Sequence, residues 1–478
     1  MDIEKFATEG LSEAQNLRAS YCDIRFEIIN DENISFSDGQ PQPIELSQSA
    51  GWAVRVLKNG AWGFVSGDNP DVPITIMVGQ AIKIAEASAK LMREPVELSA
   101  RPAETGEYES YYNIDPFAIP MKEKIEFLAD LDSAMEQEGL NSRSCFADFH
   151  KIEKWFFSSE GSKIHQKIIQ TGGGMTLGQA ESRHERAERS YPRPSGQYQS
   201  RGYELLKDLG FKPNVPRIAE EVRMLLKASP CPEKTTKLVL SGDIAALVMH
   251  ESIGHPLELD RVFGMERNFS GISFATPDKR NNLHYGSPLL TVMADPTDTY
   301  GVGSFGWDDE GVKARRSPLI EKGILRDYLS SRETAARLGL KSTAAMRAQG
   351  WQNIPICRMT NTVLLPGNKT MDDMISEVDD GILMAGPSSW SIDDLRKNFQ
   401  FGCEIGWIIK NGRLKQPVKN PTFTGCTTQF WNNLDAVGNL SEFTLWGTPN
   451  CGKGQPGQTA RTGEGTAPLR FHDIQVGG

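Results

Sequence analysis

The 478-residue chain is poor in aromatics (8%), has seven histidines and seven cysteines, and its 52 lysines and arginines are outnumbered by 62 aspartates and glutamates. Each shortage excludes something. At a net charge of −10 the chain lacks the basic surface that neutralises phosphates, which argues against nucleic acid as a partner. The cysteines are odd in number, scattered, and never spaced C-x-x-C, the pattern of reduced thiols in a cytoplasmic protein and not of a disulfide framework. No stretch approaches the ~20 apolar residues of a membrane span, and the opening MDIEKFATEGL has no apolar signal core. No G-x-S-x-G elbow is present for a serine hydrolase, and no short internal repeat.

Glycine (45) and proline (27) are plentiful, which suits a turn-rich, β-rich protein better than a helical bundle. The length suggests two or three domains at roughly 150 residues each. Helical spacing of apolar residues predicts helices over 4–19, 75–93, 122–137 and 215–228. Two apolar runs around Asn59-Gly60 predict a hairpin over 49–68, and further strands follow at 143–170. The Arg-rich stretch 175–210 has no clear period and reads as a solvated loop or surface strands. The segment SPCPEK (229–234) marks a boundary between an N-terminal domain (1–230) and a β-rich C-terminal one (235–478). In the second half, TKLVLSG reads as a buried strand and 244–255 as an apolar helix. Hairpins turn at Lys322-Gly323 and Asn411-Gly412, helices cover 332–338, 371–379 and 427–435, and a strand lies near 467–476. The fold class is α+β.

The strongest chemical signal is His250-Glu251-Ser252-Ile253-Gly254-His255 at the end of the apolar helix. In His-Glu-x-x-His metallopeptidases the histidines stand at i and i+4 on one helix face. Here the spacing is i+5, which leaves the rings about 140° apart on a straight α-helix. A shared metal therefore requires the helix to break or bulge at 253–256. Gly254 is permissive and Pro256 disfavours helical geometry at His255. A third ligand is needed, and Glu258, Asp260 and Cys451, in the Gly/Pro-rich loop 447–457, are all candidates. Asp308-Asp309-Glu310 is an acidic cluster suited to orienting a ligating histidine or binding a substrate amine. The run from Gly447 to Lys453 matches G-x-x-x-x-G-K but continues with Gly454 where a P-loop needs Ser or Thr, so nucleotide binding is not expected.

These motifs together resemble the TldD/PmbA family, once called modulators of DNA gyrase and treated as zinc metallopeptidases. The resemblance rests on GWAVRV…WGF (51–64), HESIGHPLELD (250–260), WDDEGVKARRSPLIEKGILRDYL (307–329), the region 401–421 and GTPNCGKGQPGQ (447–458), in that order along nearly the whole chain. It implies an α/β N-terminal domain that serves dimerisation and cavity formation, and a β-rich C-terminal domain that holds the metal. Carried onto this sequence, the ligands are His250, His255 and Cys451 and the base is Glu251. Pro256 stands where the family often has glycine. The metal implied is zinc, with iron the alternative. The partners implied are a short or unfolded peptide and a second subunit, either a copy or a PmbA-like paralogue lacking the ligands. A peptide would pair its backbone with a sheet edge in the C-terminal half. The competing functions are a non-catalytic peptide-binding regulator with a structural metal, and an amidohydrolase acting on non-peptide amides.

Overall fold

The computed structural model describes residues 2–182 and 185–478. The chain is mixed α+β, and its first half is organised by three very long strands, Tyr21–Ser37, Ser142–Ser158 and Lys163–Ala180, which pair antiparallel in that order. The hairpin of Glu45–Lys58 and Ala61–Gly67 extends this sheet on one side, turning at Asn59 and Gly60 with φ of 52° and 73°. Both turn residues have positive φ, which is why Asn-Gly was a reliable signal. Thr105–Glu109 adds to the other side, parallel.

One face of this sheet carries the apolar residues. Cys22, Ile24 and Phe26 pack on helices Ile3–Asn16 and Ile74–Ala89. Ile34 and Phe36, on the same face further along the strand, pack on Met121–Glu136 and Phe211–Lys227. The alternate residues Asp23, Arg25 and Glu27 are equally buried on the opposite face. There they meet charges from the second half: Arg55 pairs with Asp23 and Glu310, and Lys154 with Asp309 and Glu27. The two halves are thus joined by ion pairs.

Of the two readings of 175–210, strands are what the chain forms, but they are largely buried and not on the surface. The stretch continues the third long strand to Ala180, forms strands Arg186–Tyr191 and Gln197–Gln199, and enters the helix Glu204–Asp208. Positions 183 and 184 of the expected loop lie outside the described residues. The polar composition misled because these residues find internal partners. Arg189 is buried against Glu221 and Glu404, and Gln197 bonds Leu445 O and Gly447 N at 2.9 and 3.0 Å.

In the second half five strands close on themselves: Lys234–Leu240 beside Asp380–Ile392, then Asn398–Lys410, Thr422–Cys426, Leu469–Gly477, and back to the first. Closure removes open edges from this small barrel. Alternation separates its two sides. Leu238, Leu240, Ile382, Met384, Phe401 and Phe471 belong to one core cluster, while Val239, Leu383 and Ile409 pack outside against Ile375 and Val378. The helix Gly242–Met249 follows the first barrel strand and sinks Ile244, Ala245, Val248 and Met249 into the barrel-side cluster. A second sheet runs from Ile324–Leu325 through Ser317–Glu321, Val292–Ala294, Asn361–Leu364 and Gln458–Thr466 to Thr444–Lys453. The Gly/Pro-rich segment expected as a loop is therefore largely a strand, and Cys451 pairs across it with Ala460.

Candidate metal centre

The apolar helix does not break after Met249. It widens into a π-turn over His250–Gly254, in which His255 N–H donates to His250 O. Closing the backbone ring one residue later than in an α-helix brings the residue at i+5 over the residue at i. Of the two distortions expected, the bulge is the one present, over 250–254 and not 253–256. His255 keeps helical angles (φ −61°, ψ −42°), and Pro256 opens a short 3₁₀ turn, His255–Leu257, so proline did not force the departure. Gly254 is also helical (φ −57°). Its value is the missing side chain, because a Cβ there would lie 2.0 Å from Met359 Sδ. The widened turn is held from outside: Tyr285 OH donates to Ser252 O at 2.5 Å, and Trp431 Nε1 to Ser252 Oγ at 2.9 Å.

The two rings end 4.9 Å apart and almost perpendicular (88°). Cys451 joins them from the second sheet, its Sγ 3.4 Å from His255 Nε2. One donor atom from each of His250, His255 and Cys451 lies within 4.8 Å of the others, and all three residues are buried. Two imidazoles and a thiol that converge in this way fit a tetrahedral zinc ion with one position left open. Each ring is fixed from behind by a carboxylate. Glu464 Oε1 meets His250 Nδ1 at 2.7 Å, and Glu258 Oε2 meets His255 Nδ1 at 2.9 Å. Such partners hold Nε2 aimed forward and raise ligand basicity. Glu464 is itself held by Thr462 and Thr448 hydroxyls at 2.8 and 2.7 Å.

Charge suits a cation here. Burial by itself would push the Cys451 thiol up, but His250, His255 and Arg358 reverse this and hold it well below the ordinary thiol range. The thiolate is the metal-binding form. Burial would depress His250, yet Cys451 and Glu464 raise it well above ordinary histidine, while burial keeps His255 well below.

Of the other third-ligand candidates, Glu258 lies behind the His255 ring, and both oxygens of Asp260 are taken by Lys453 Nζ at 2.6 and 2.7 Å. Lys453, the lysine of the P-loop-like match, is buried among Asp260, Glu258 and Glu266, where it anchors the strand two residues past Cys451. Asp308, Asp309 and Glu310 do not orient either histidine. Asp308 Oδ1 accepts the Glu310 and Val312 amides, both at 2.9 Å, Asp309 accepts Lys154 Nζ at 2.7 Å, and Glu310 accepts the Arg332 amide at 2.6 Å. The cluster faces the N-terminal sheet because the cations able to neutralise it, Arg25, Arg55 and Lys154, stand there.

The three candidate ligands and Glu251 line one cavity of about 590 Å³. Arg193 reaches it from the N-terminal half, while Trp390 and Arg396 come from the barrel hairpin. None of these three, nor Glu464, was visible in the sequence pattern. Glu258 carried a local signal, its i+3 spacing from His255. Arg193 lay in the stretch read as a solvated loop or surface strands.

Comparison with known proteins places this geometry. Residues 233–478 match the family model of the PmbA/TldA metallopeptidase C-terminal domain, and residues 22–90 that of PmbA/TldA metallopeptidase domain 1. A metalloprotease of Methanothermobacter thermautotrophicus is 30% identical over 462 residues, 96% of each chain. A metalloprotease TldD homolog of Haemophilus influenzae is 26% identical, covering 96% of this chain and 93% of its own. A zinc metalloprotease TldD homolog of Saccharolobus solfataricus is 27% identical over 242 residues, 50% of this chain and 51% of its own. Two solved structures share the fold. One is described as a modulator of a DNA gyrase from Thermotoga maritima (TM-score 0.78, 17% identity, 99% of this chain and 100% of that one), the other is TldE from Thermococcus kodakarensis (0.73, 17%, all of both chains).

Proposed function

This chain belongs to the PmbA/TldD family of metallopeptidases, and from that premise we propose that it hydrolyses short or unfolded peptides at the centre formed by His250, His255 and Cys451, with Glu251 as general base. One observation carries the reading: three donor atoms within 4.8 Å of one another beside a carboxylate in the same cavity. The ion is zinc, which supplies Lewis acidity when bound. Glu251 takes a proton from the attacking water and returns it to the departing amine.

The substrate backbone has an edge to bind. Strand Asp380–Ile392 pairs with Lys234–Leu240 only over Gly381–Met384. Beyond this, Pro387–Ile392 pairs on one side with Asn398–Lys410 and borders the cavity. Backbone pairing there demands an extended chain and is tolerant of side chains. The N-terminal unit (1–230) serves dimerisation and encloses the cavity over the C-terminal unit (235–478). The second subunit is a copy or a TldE-like paralogue, and the setting is cytoplasmic. No helix among the described residues is long and apolar enough to cross a membrane.

The test is Glu251→Gln assayed with peptides, with zinc content measured on the same sample. Zinc is retained and cleavage falls by about 10²–10⁴-fold; cleavage at the wild-type rate removes Glu251 from the mechanism.

A further inference from the structure

Glu251 does not face the cavity alone. Arg396 Nη1 donates to Glu251 Oε2 at 2.6 Å, and its guanidinium lines the same cavity as the candidate ligands. Arg396 sits at the tip of the hairpin between Asp380–Ile392 and Asn398–Lys410. The tip is tied down on several sides. Arg396 N–H donates to Asp393 O at 2.8 Å, Thr427 Oγ1 donates to Arg396 O at 2.8 Å, and the Ile272 and Phe274 amides bond Asp394 O and Leu395 O at 2.8 and 3.1 Å. Arg396 adopts a φ of 59°, in the left-handed region that glycine or asparagine occupies more readily. Its Nε is buried with no hydrogen-bond partner among the described residues.

A guanidinium carries five N–H donors, and pairing with Glu251 uses one. Nε is closed off from the cavity, but Nη2 has no hydrogen-bond partner among the described residues and is not closed off, so the guanidinium keeps a donor that Glu251 does not use. The acceptor that arrives during the reaction is the peptide. Arg396 is bonded to the same carboxylate that would hold the attacking water and lines the same cavity, so it borders the space a carbonyl under attack would enter.

We propose that Arg396 is a second catalytic residue, which donates to the oxygen of the scissile carbonyl and stabilises the negative charge that grows on it. The inference rests on the peptidase reading above. As the water oxygen bonds to the carbonyl carbon, the π pair of C=O moves onto oxygen and one water proton passes to Glu251. Collapse restores C=O and breaks C–N, and the amine leaves with the proton from Glu251. Arg396 stays protonated throughout. A thiolate in the ligand set would partly neutralise a divalent ion, and a fixed cation lining the same cavity would supply part of the stabilisation the ion supplies less of. Fixed donors aimed at developing charge act strongly in a site that excludes water.

The experiment compares wild type with Arg396→Ala, Arg396→Lys and Glu251→Gln, each with its zinc content measured. Hydrolysis of one peptide is read beside binding of two uncleavable analogues. One is a phosphinic peptide, whose tetrahedral P–O⁻ copies the charged oxygen; the other is a reduced-amide peptide without that oxygen. Arg396→Ala lowers kcat by about 10²–10³-fold with KM nearly unchanged and zinc retained. It weakens the phosphinic peptide by a comparable factor and leaves the reduced amide alone. Arg396→Lys recovers part of the loss, and added methylguanidine raises the Arg396→Ala rate. Equal loss of both analogues, or loss of zinc in both variants, overturns the proposal in favour of a structural role. A rise in KM confined to peptides with a free C-terminal carboxylate overturns it in favour of substrate anchoring. If Glu251→Gln still cleaves, the peptidase reading itself fails, whatever the Arg396 variants do.

Discussion

Glu464→Gln isolates what the carboxylate behind His250 contributes. Glu464 is fully buried, and its Oε1 sits 2.7 Å from His250 Nδ1. Glutamine keeps the shape and an acceptor at Oε1 and removes the charge. At Oε2 the new amide meets Thr448 Oγ1, which now donates at 2.7 Å and can rotate to accept. The fold therefore changes little and the electrostatics change fully. Removing a partner of this kind weakens metal binding by about 10–100-fold, or roughly 1.4–2.7 kcal/mol. A single hydrogen bond to a charged group is worth about 1.5–3 kcal/mol, so two independent routes agree. The assay is competition for zinc between the protein and a chelating dye, with a thermal melt of the metal-free protein beside it. The expected result is a Kd raised by one to two decades and a small change in melting. Unchanged affinity with unchanged melting would mean that ring orientation comes from packing, and the reasoning would fail.

Cys451→Ala removes one of the three candidate ligands and should lower zinc occupancy sharply by elemental analysis; full occupancy would redirect attention to Glu258. Gly254→Ala places a methyl 2.0 Å from Met359 Sδ, an overpacking that costs on the order of 1–3 kcal/mol and disturbs the π-turn. Adding Met359→Ala should restore part of the zinc affinity lost, and no restoration would show that the glycine serves something else. Asp309→Asn tests the charged seam. Burial would raise the Asp309 carboxyl, but Lys154 and Arg25 hold it down at about 2, below its ordinary 3.8. A depressed folded-state pKa stabilises above pH 3.8 and is lost as pH falls towards 2. That loss amounts to roughly 2 kcal/mol. Denaturant melts across this interval should show a shallower decline for Asp309→Asn than for wild type, and parallel declines would refute the pairing.

Elements with a local cause were legible in the sequence. The Asn59-Gly60, Lys322-Gly323 and Asn411-Gly412 turns all have positive φ at both positions, a demand that the two Asn-Gly pairs meet by themselves and that Lys322 meets only with glycine after it. The helices at 74–89 and 121–136 follow from the helical spacing of their apolar residues. Elements whose partners are distant were not legible. The polar run through Arg189 and Gln197 looks solvated until Glu221, Glu404 and the 444–453 strand supply its counterparts. The Gly/Pro-rich segment around Cys451 is held as a strand by its pairing with 458–466, which its own residues do not favour.

The same division runs through the candidate centre. The sequence alone determined that two histidines spaced by five need a distorted helix, because helical rotation per residue is a covalent and steric property. It also placed Glu251 beside them. Only the tertiary structure decided the form of the distortion, a π-turn braced by Tyr285, Trp431 and Met359. Only the tertiary structure decided that Glu464, 214 positions from His250, stands behind that ring, and that Arg396, 145 positions from Glu251, pairs with that carboxylate. Local geometry is written in neighbouring residues. The field around a buried centre is summed from charges that meet only when the chain has folded.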